Sequence, residues 1–299
     1  MQNGRPDESG RLFLLRALYY HEWMKKIGLA LSGGSALGIA HIGVLRALAE
    51  HDIPIDCIAG TSAGAVVAAA YAFGIGPDEM EKKSKDLSWR TFFKFSYSAL
   101  GLTSNDLVGE MMKKLLGDVK IEDAKIPLAI IATDLGTGDK MIFRKGSVAD
   151  AVMASTCLPG LFVPRKLHGT QFVDGGLVEN VPLSPLAAMG ADIKIGVNLE
   201  RWRTYKPPKN FVDVMLDSID IVVHAQGKFH PVPADVNIEP HLEQYTMSDW
   251  NKGPELVSMG HKAALAAVPE IERLIGPRRA SRPAPKTPWY RRLWRWLGA

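Results

Sequence analysis

Cysteine is scarce in this sequence, with only two among 299 residues. Cys57 and Cys157 both lie in apolar stretches, so a disulfide scaffold is excluded and a reduced compartment is the simpler expectation. The first ten residues are polar and show no secretory signal. We therefore expect a cytoplasmic protein.

A convincing membrane-spanning segment is also missing. Residues 57–77 form an uncharged run of 21 residues, which is long enough to cross a bilayer. The run is rich in alanine and glycine, and it is interrupted by Gly60, Gly64, Gly74 and Pro77. We interpret it as the end of a strand, a tight turn and a buried helix.

Acidic residues are absent from the tail 277–299, which contains seven basic residues. The rest of the chain is slightly acidic, which argues against a nucleic-acid-binding protein. Within the tail, 277–288 is a Pro/Arg-rich linker. On a helical wheel, 289–297 separates six apolar residues from three arginines, which favours an interfacial helix on an anionic membrane. A helix packed on the body and a disordered tail are the alternatives.

The chain divides into three parts. Residues 1–23 are expected to form an N-terminal helical extension that packs on the body, with an interfacial anchor as the alternative. Residues 24–276 form the main domain, and 277–299 the basic tail that would hold the protein on the inner face of a membrane.

Local patterns within the main domain alternate between strand and helix. The buried apolar run 27–31 is followed by a glycine turn, a helix to residue 50, a strand at 55–59 and a helix at 62–73, which predicts a largely parallel sheet. Residues 78–117 are predicted to be helical. The aromatic residues at 89–97 are interpreted as core, with an acyl pocket or lid as the alternative. Further strands are predicted at 128–133, 140–144, 170–173, 193–198 and 235–238, and further helices at 147–155, 183–189, 210–226 and 253–275.

The first chemical motif is a Gly-x-Ser-x-Gly sequence from Gly60 to Gly64. It follows an apolar strand and begins an alanine-rich helix, which is the context that a nucleophile elbow requires. The helix N-terminus also favours developing negative charge near Ser62. Ser62 is therefore the candidate nucleophile.

The second motif is the glycine turn at 33–38. Acyl transfer produces an oxyanion that needs two or more backbone N–H donors, and such a turn can supply them. A phosphate-binding loop is disfavoured because Ile39 and Ala40 replace the lysine and hydroxyl residue of that motif. A glycine turn that only allows close packing is the alternative.

An acidic partner is offered by Asp174, which ends a short predicted strand and precedes two glycines. On its own this pattern indicates a β-turn. A Ser–Asp–His triad would need a histidine, and chain order leaves His224, His230, His241 and His261 as candidates. None of them lies in a distinctive loop sequence, and His41 is interpreted as a packed structural residue of the first helix.

Together these segments resemble the patatin-like phospholipase family. Residues 32–45 are similar to its glycine-rich oxyanion segment, 60–64 to its nucleophile elbow and 174–176 to its Asp-Gly-Gly motif. Residues 154–162 are similar to the segment that precedes the aspartate. The motifs agree in order and spacing, and the resemblance covers about 25–270.

The resemblance implies a Ser–Asp dyad that works without histidine, metal or cofactor. Ser62 would be the nucleophile, Asp174 would accept its proton, and amides of Gly33, Gly34 and Ser35 would bind the oxyanion. We expect a three-layer α/β/α fold around a mostly parallel sheet. The expected function is a serine acyl hydrolase that cleaves carboxylic esters of lipids as a phospholipase A, lysophospholipase or esterase.

Two positions depart from the family pattern. Ser35 stands where a third glycine is usual, and it keeps the amide donor. Leu37 stands where an arginine or lysine is usual, which favours a neutral ester or thioester over a phosphate-bearing substrate.

Two other hypotheses remain: a Ser–Asp–His α/β-hydrolase, and a catalytically silent lipid- or membrane-binding protein on the same scaffold.

Overall fold

The computed structural model describes residues 25–85, 94–98, 100–199, 207, 211–227 and 232–276. The predicted extension 1–23, the tail helix 289–297, His230 and the aromatic residues Trp89, Phe92 and Phe93 lie outside these residues.

Ten strands lie in the described part of the chain, eight of them in one sheet. The sheet order is β10-β9-β1-β2-β5-β8-β7, with β6 paired to β5, while β3 and β4 form a separate hairpin. Pairing is parallel from β10 to β5 and antiparallel for β6, β7 and β8. This confirms the predicted mostly parallel sheet. The strands are β1 (Ile27–Leu31), β2 (Cys57–Thr61), β3 (Lys94–Ser98), β4 (Gly101–Ser104), β5 (Leu128–Asp134), β6 (Lys140–Phe143), β7 (Arg165–Leu167), β8 (Thr170–Asp174), β9 (Ile193–Val197) and β10 (Val236–Ile238).

The helices that were predicted outside 78–117 begin and end within one residue of their predicted bounds. The short helix α6 and the strand β7 had no counterpart in the prediction. The helices are α1 (Ala40–Glu50), α2 (Ala63–Ala72), α3 (Pro77–Ser84), α4 (Asp106–Leu116), α5 (Val148–Ser155), α6 (Gly176–Glu179), α7 (Ser184–Ala188), α8 (Phe211–Gly227) and α9 (Gly253–Ile275).

Both faces of the sheet are covered, which produces the three layers. Successive side chains of a strand point to opposite faces. Leu29 of β1 belongs to the large core that includes Leu45 of α1 and Leu256 of α9. Ala30 belongs to a smaller core with Leu186 of α7. A strand buried on both faces has no polar alternation, which explains the continuous apolar sequence of β1.

Two glycines bring the helices α1 and α9 into backbone contact. A Cβ atom at Gly43 would overlap the Val257 carbonyl oxygen, and one at Gly260 would overlap the Ala40 carbonyl oxygen. The crossing therefore requires glycine at both positions. Since α1 directly follows the 3-10 turn Ser35–Ile39, this contact fixes the helix to which the glycine turn is attached.

The helical prediction for 78–117 was wrong in its centre, where β3 and β4 form an antiparallel hairpin. The amides of Leu102 and Thr103 both donate to the Leu161 carbonyl oxygen at 3.1 Å. A Cβ atom on Gly101 would lie 2.6 Å from the Val163 nitrogen. Contacts with a distant loop therefore decide the strand conformation here, as tertiary context often does for short segments.

The uncharged run 57–77 folds as predicted into β2, a turn at Ser62 and the buried helix α2. Among the described residues, none of the helices is both long and apolar enough to cross a membrane. Cys57 and Cys157 are both buried and unpaired with each other. Burial raises the pKa of the Cys57 thiol to about 11 and that of Cys157 to about 12, so neither is an activated nucleophile.

Candidate active site

Ser62 occupies a strained turn between β2 and α2. Its backbone has φ 52° and ψ −122°, a conformation with positive φ that non-glycine residues rarely adopt. A Cβ atom on Gly60 would overlap the Gly64 carbonyl oxygen, and one on Gly64 would overlap the Leu31 carbonyl oxygen. Both glycines of the motif are thus required by close backbone approach, and they let the turn present Ser62 at the N-terminus of α2.

Two hydrogen bonds orient the hydroxyl and the backbone amide of Ser62. Its Oγ donates to Oδ2 of Asp174 at 2.6 Å, and its backbone N–H donates to Oγ of Ser155 at 2.8 Å. The serine keeps 9% of its surface exposed, whereas Ser155 is fully buried. The side chain is therefore oriented towards the carboxylate while remaining reachable from solvent.

Asp174 lies at the end of β8 and is 4% exposed. Its Oδ1 accepts a hydrogen bond from the Gly176 amide at 2.8 Å, and its backbone carbonyl accepts one from Thr133 Oγ1 at 2.8 Å. Its own amide donates to the Cys157 carbonyl at 2.8 Å. These contacts fix both the strand end and the orientation of the carboxyl group.

Burial shifts the proton affinity of this carboxyl group. It raises the pKa of Asp174 from 3.8 to about 6, against the opposing effect of the hydrogen bonds from Ser62 and Gly176. A carboxylate with a raised pKa is a stronger base than an exposed aspartate. It is still mostly ionised at neutral pH, so it can accept a proton from the serine hydroxyl.

The glycine turn lies against Ser62. A Cβ atom on Gly33 would be 3.1 Å from the Ser62 Cβ. The Gly33 amide donates to Asn180 Oδ1 at 2.9 Å, so this predicted oxyanion donor already has an acceptor. The amides of Gly34 and Ser35 have no hydrogen-bond acceptor among the described residues. The turn therefore offers two open donors where three were predicted.

Leu37 is 3% exposed and belongs to the large core. The position where the family usually has a cation is thus occupied by a packed apolar side chain. It adds no positive charge beside Ser62.

Three of the described histidines contact groups outside the dyad. His41 is fully buried and donates from Nε2 to the Ser32 carbonyl at 2.8 Å, and burial lowers the pKa of its imidazole to about 4. The ring nitrogens of His241 and His261 contact Glu243 and Glu50. His224 lies on α8. In the described part of the chain, neither Ser62 nor Asp174 has a hydrogen bond with a histidine.

Sequence reasoning missed two buried residues that hold the site. Ser155 lies within the segment 154–162 that resembles the family, but its contact with the Ser62 amide had no local signal. Asn180 follows α6, six positions after Asp174, and nothing in its neighbourhood indicated its contact with Gly33. Among the described residues, no group of three or more His, Cys, Asp or Glu side chains is arranged to hold a metal ion.

The chain is similar to one family model and to several known proteins. A family model described as Patatin-like phospholipase matches residues 29–187. An uncharacterized NTE family protein of Mycobacterium tuberculosis is 37% identical over 177 residues, which cover 58% of this chain and 49% of that protein. Lysophospholipase NTE1 of Pyricularia oryzae is 27% identical over 314 residues, which cover 86% of this chain and 20% of that protein.

A solved structure supports the architecture. VipD from Legionella pneumophila has a TM-score of 0.55 and 16% identity, and the match covers 83% of this chain and 66% of that protein. The chain spans about half the length of the mycobacterial relative and a fifth of the fungal one.

Proposed function

Because the chain belongs to the patatin-like phospholipase family, we propose that it is a serine acyl hydrolase that cleaves carboxylic esters of lipids. Ser62 is the nucleophile and Asp174 is its only proton acceptor. The observation that supports this best is the 2.6 Å hydrogen bond from Ser62 Oγ to Asp174 Oδ2. It joins a hydroxyl on a strained elbow to a buried carboxylate whose pKa is raised to about 6.

In the proposed first half-reaction, Ser62 Oγ attacks the ester carbonyl carbon while its proton moves to Asp174. The carbonyl oxygen becomes negatively charged and accepts hydrogen bonds from the Gly34 and Ser35 amides. Collapse of this intermediate breaks the bond to the leaving alkoxide, which takes the proton from Asp174. An acyl-enzyme remains on Ser62.

In the second half-reaction, water attacks the acyl-enzyme and gives a proton to Asp174. The same two amides stabilise the second oxyanion. Collapse releases the carboxylic acid, and the proton on Asp174 returns to Ser62 Oγ. Proton number balances over the cycle with one carboxylate and no histidine.

A lipid substrate is favoured by exposed apolar side chains on two segments that contact the 157–163 loop. Leu100 and Leu102 near the β3–β4 turn are 60% and 51% exposed, and Ile221 on α8 is 70% exposed. The hairpin is hydrogen-bonded to Leu161 in the loop 157–163, and Met215 of α8 packs against this loop. The Cys157 carbonyl of the loop accepts a hydrogen bond from the Asp174 amide. Exposed leucines at the hairpin and an exposed isoleucine on α8 could contact the acyl chain of a lipid substrate.

The family and the name of the fungal relative, a lysophospholipase, support lysophospholipids as one substrate class. The buried Leu37 supports neutral esters and thioesters as another, since it offers no charge to a phosphate group. We propose that both classes enter, and that the neutral esters are the better substrates. Comparing kcat/KM for a lysophospholipid and a monoacylglycerol of equal chain length tests this preference, which a higher value for the lysophospholipid would refute.

The tail helix 289–297 remains a proposal for membrane contact. Truncation after Gly276, where α9 has ended, should release the protein from anionic vesicles and leave hydrolysis of a soluble ester nearly unchanged. Vesicle binding that persists in the truncated protein would refute this role.

The direct test of the reaction is hydrolysis of a short-chain p-nitrophenyl ester by the wild type and by Ser62→Ala. Loss of a nucleophile costs on the order of 10⁴-fold or more in kcat in serine hydrolases, so activity should fall to background. A fluorophosphonate probe should label the wild type at Ser62. A folded wild type that neither hydrolyses the ester nor reacts with the probe would favour a silent lipid-binding scaffold.

The triad hypothesis is tested with histidine variants. His241→Gln and His261→Gln should keep kcat within about two-fold, because their side chains contact glutamates away from the dyad. His224→Gln and His230→Gln complete the series. Loss of turnover in any folded member would replace the dyad by a Ser–Asp–His mechanism.

A further inference from the structure

Asn180 links the segment 174–180, which begins with Asp174, to the glycine turn. It is a buried side chain, 7% exposed, placed directly after α6. Its Oδ1 accepts the Gly33 amide at 2.9 Å. An amide side chain cannot take the proton of a serine at neutral pH, so its contribution must come from what it holds in place.

The hydrogen bonds of the turn follow a simple order along the chain. The Gly33 amide is bound by Asn180, and the Ala36 amide donates to the Met247 carbonyl at 3.1 Å. Within the described ranges, the amides of Gly34 and Ser35 between them have no acceptor. The two open donors are therefore enclosed between two anchored ones. Gly34 has φ 143°, which glycine permits. Ser35 has φ 52°, a strained value that a non-glycine residue keeps only when its surroundings hold it.

Gly33 is held closely between Asn180 and the nucleophile. A Cβ atom on Gly33 would lie 2.8 Å from Asn180 Oδ1 and 3.1 Å from the Ser62 Cβ. A movement of the Gly33 peptide therefore changes the distance between the open amides and Ser62 directly.

The same short segment also holds the elbow. Asp174 binds Ser62 Oγ, and the Glu179 carbonyl accepts a hydrogen bond from Thr61 Oγ1 at 2.9 Å. Residues 174–180 thus contain the proposed base and contact both the elbow and the glycine turn. Asn180 is the member of this segment that reaches the turn.

We propose that Asn180 is a positioning residue for oxyanion stabilisation. By fixing the Gly33 amide, it holds the Gly34 and Ser35 amides at the point where the negative charge develops beside Ser62. This inference rests on the proposed acyl hydrolase function. Because donors aimed at the oxyanion act mainly in the transition state, their misplacement lowers kcat more than it changes KM.

The test compares Asn180→Ala with Asn105→Ala in the full chain, using a p-nitrophenyl ester and a fluorophosphonate probe. Removing one oxyanion donor costs about 10²–10³ in kcat, so loosening two should cost at least about 10-fold, with KM within about three-fold. Labelling of Ser62 should slow in parallel. Asn105 is a matched control, since it is 2% exposed and donates to the Met153 carbonyl at 2.7 Å.

A second variant, Asn180→Asp, keeps the shape and the Oδ1 acceptor. A Cβ atom on Gly176 would lie 3.1 Å from Asp174 Oδ1 and 3.5 Å from Asn180 Oδ1, so the two side chains are close neighbours. A carboxylate at position 180 should raise the pKa of Asp174 by like-charge repulsion. The acid limb of the pH–rate profile should move upward, and the rate at the plateau should exceed that of Asn180→Ala.

The outcomes distinguish a failure of the proposed hydrolase function from a failure of the positioning role of Asn180. A wild type without hydrolysis or labelling would overturn the proposed function and this inference with it. An active wild type with a kcat for Asn180→Ala within two-fold would overturn the positioning role alone. Equal losses of kcat in Asn180→Ala and Asn105→Ala would also overturn it, because they would indicate a general loss of stability.

Discussion

Asp174→Asn is expected to stabilise the fold while it abolishes turnover. Asp174 is 4% exposed, and burial raises the pKa of its carboxyl group from 3.8 to about 6. Between these values the folded state binds the proton more tightly than the unfolded state, so stability falls as the pH rises. Above pH 6 the folded protein bears the full cost of a buried ionised group.

The size of this cost follows from the shift. Each pKa unit corresponds to about 1.4 kcal/mol, so ionisation of Asp174 costs the folded state about 3 kcal/mol at pH 8. Asparagine removes the charge and can keep a hydrogen bond with the Gly176 amide and with Ser62. The variant should therefore gain up to about 3 kcal/mol in the free energy of unfolding at pH 8.

Urea unfolding at pH 8 and pH 4, followed by tryptophan fluorescence, measures the effect. The difference between variant and wild type should shrink to about 0.5 kcal/mol or less at pH 4. Asp118→Asn is the matched control: its side chain is 80% exposed, so the change should stay within about 0.5 kcal/mol at both pH values. A variant that is no more stable than wild type at pH 8, or equally stabilised at both pH values, would refute the reasoning.

Three further predictions concern rate and packing. With a neutral ester, kcat/KM should rise through about pH 6 and reach only about a tenth of its plateau at pH 5, because Asp174 must be ionised to accept the proton; a pH-independent rate between 5 and 7 would contradict this. Ser155→Ala should lower the free energy of unfolding by about 1–3 kcal/mol and reduce kcat, since it leaves the Ser62 amide without its acceptor; denaturation and ester assays measure both, and an unchanged protein would contradict it. Gly260→Ala should lower the free energy of unfolding by about 3 kcal/mol or more, because its Cβ overlaps backbone of α1. Gly253→Ala, with only Ile39 atoms at 4.0 Å, should change it by no more than about 1 kcal/mol. Equal losses in urea unfolding would contradict the close crossing of α1 and α9.

Much of the architecture follows from local patterns in the chain. The apolar run at 27–31 and the Gly-x-Ser-x-Gly sequence at 60–64 have one favourable arrangement each, a buried strand and a strained turn. The glycines are needed because carbonyl oxygens approach them too closely for a Cβ atom. Local sequence therefore predicted most helices, most strands of the sheet and the candidate Ser62, whereas the role of Asp174 came from the resemblance to the family.

The remaining features depend on contacts between distant parts of the chain. The β3–β4 hairpin forms against the Leu161 carbonyl, and no periodicity within 78–117 indicates that partner. Asn180 and Ser155 bind amides of residues 147 and 93 positions away. A polar residue that accepts one backbone hydrogen bond leaves no pattern in the sequence around it, so neither contact could be predicted.

The close crossing of α1 and α9 joins a helix that is synthesised early to one that is synthesised late. α1 follows the glycine turn near the start of the domain, while its partner helix ends at residue 275. Domains generally fold as units, and contacts between distant parts of the chain form slowly. A ribosome-bound chain that lacks α9 would hold Ser62 and Asp174 without the final support of the turn. Hydrolytic competence would thus arise only when almost the whole domain has left the ribosome.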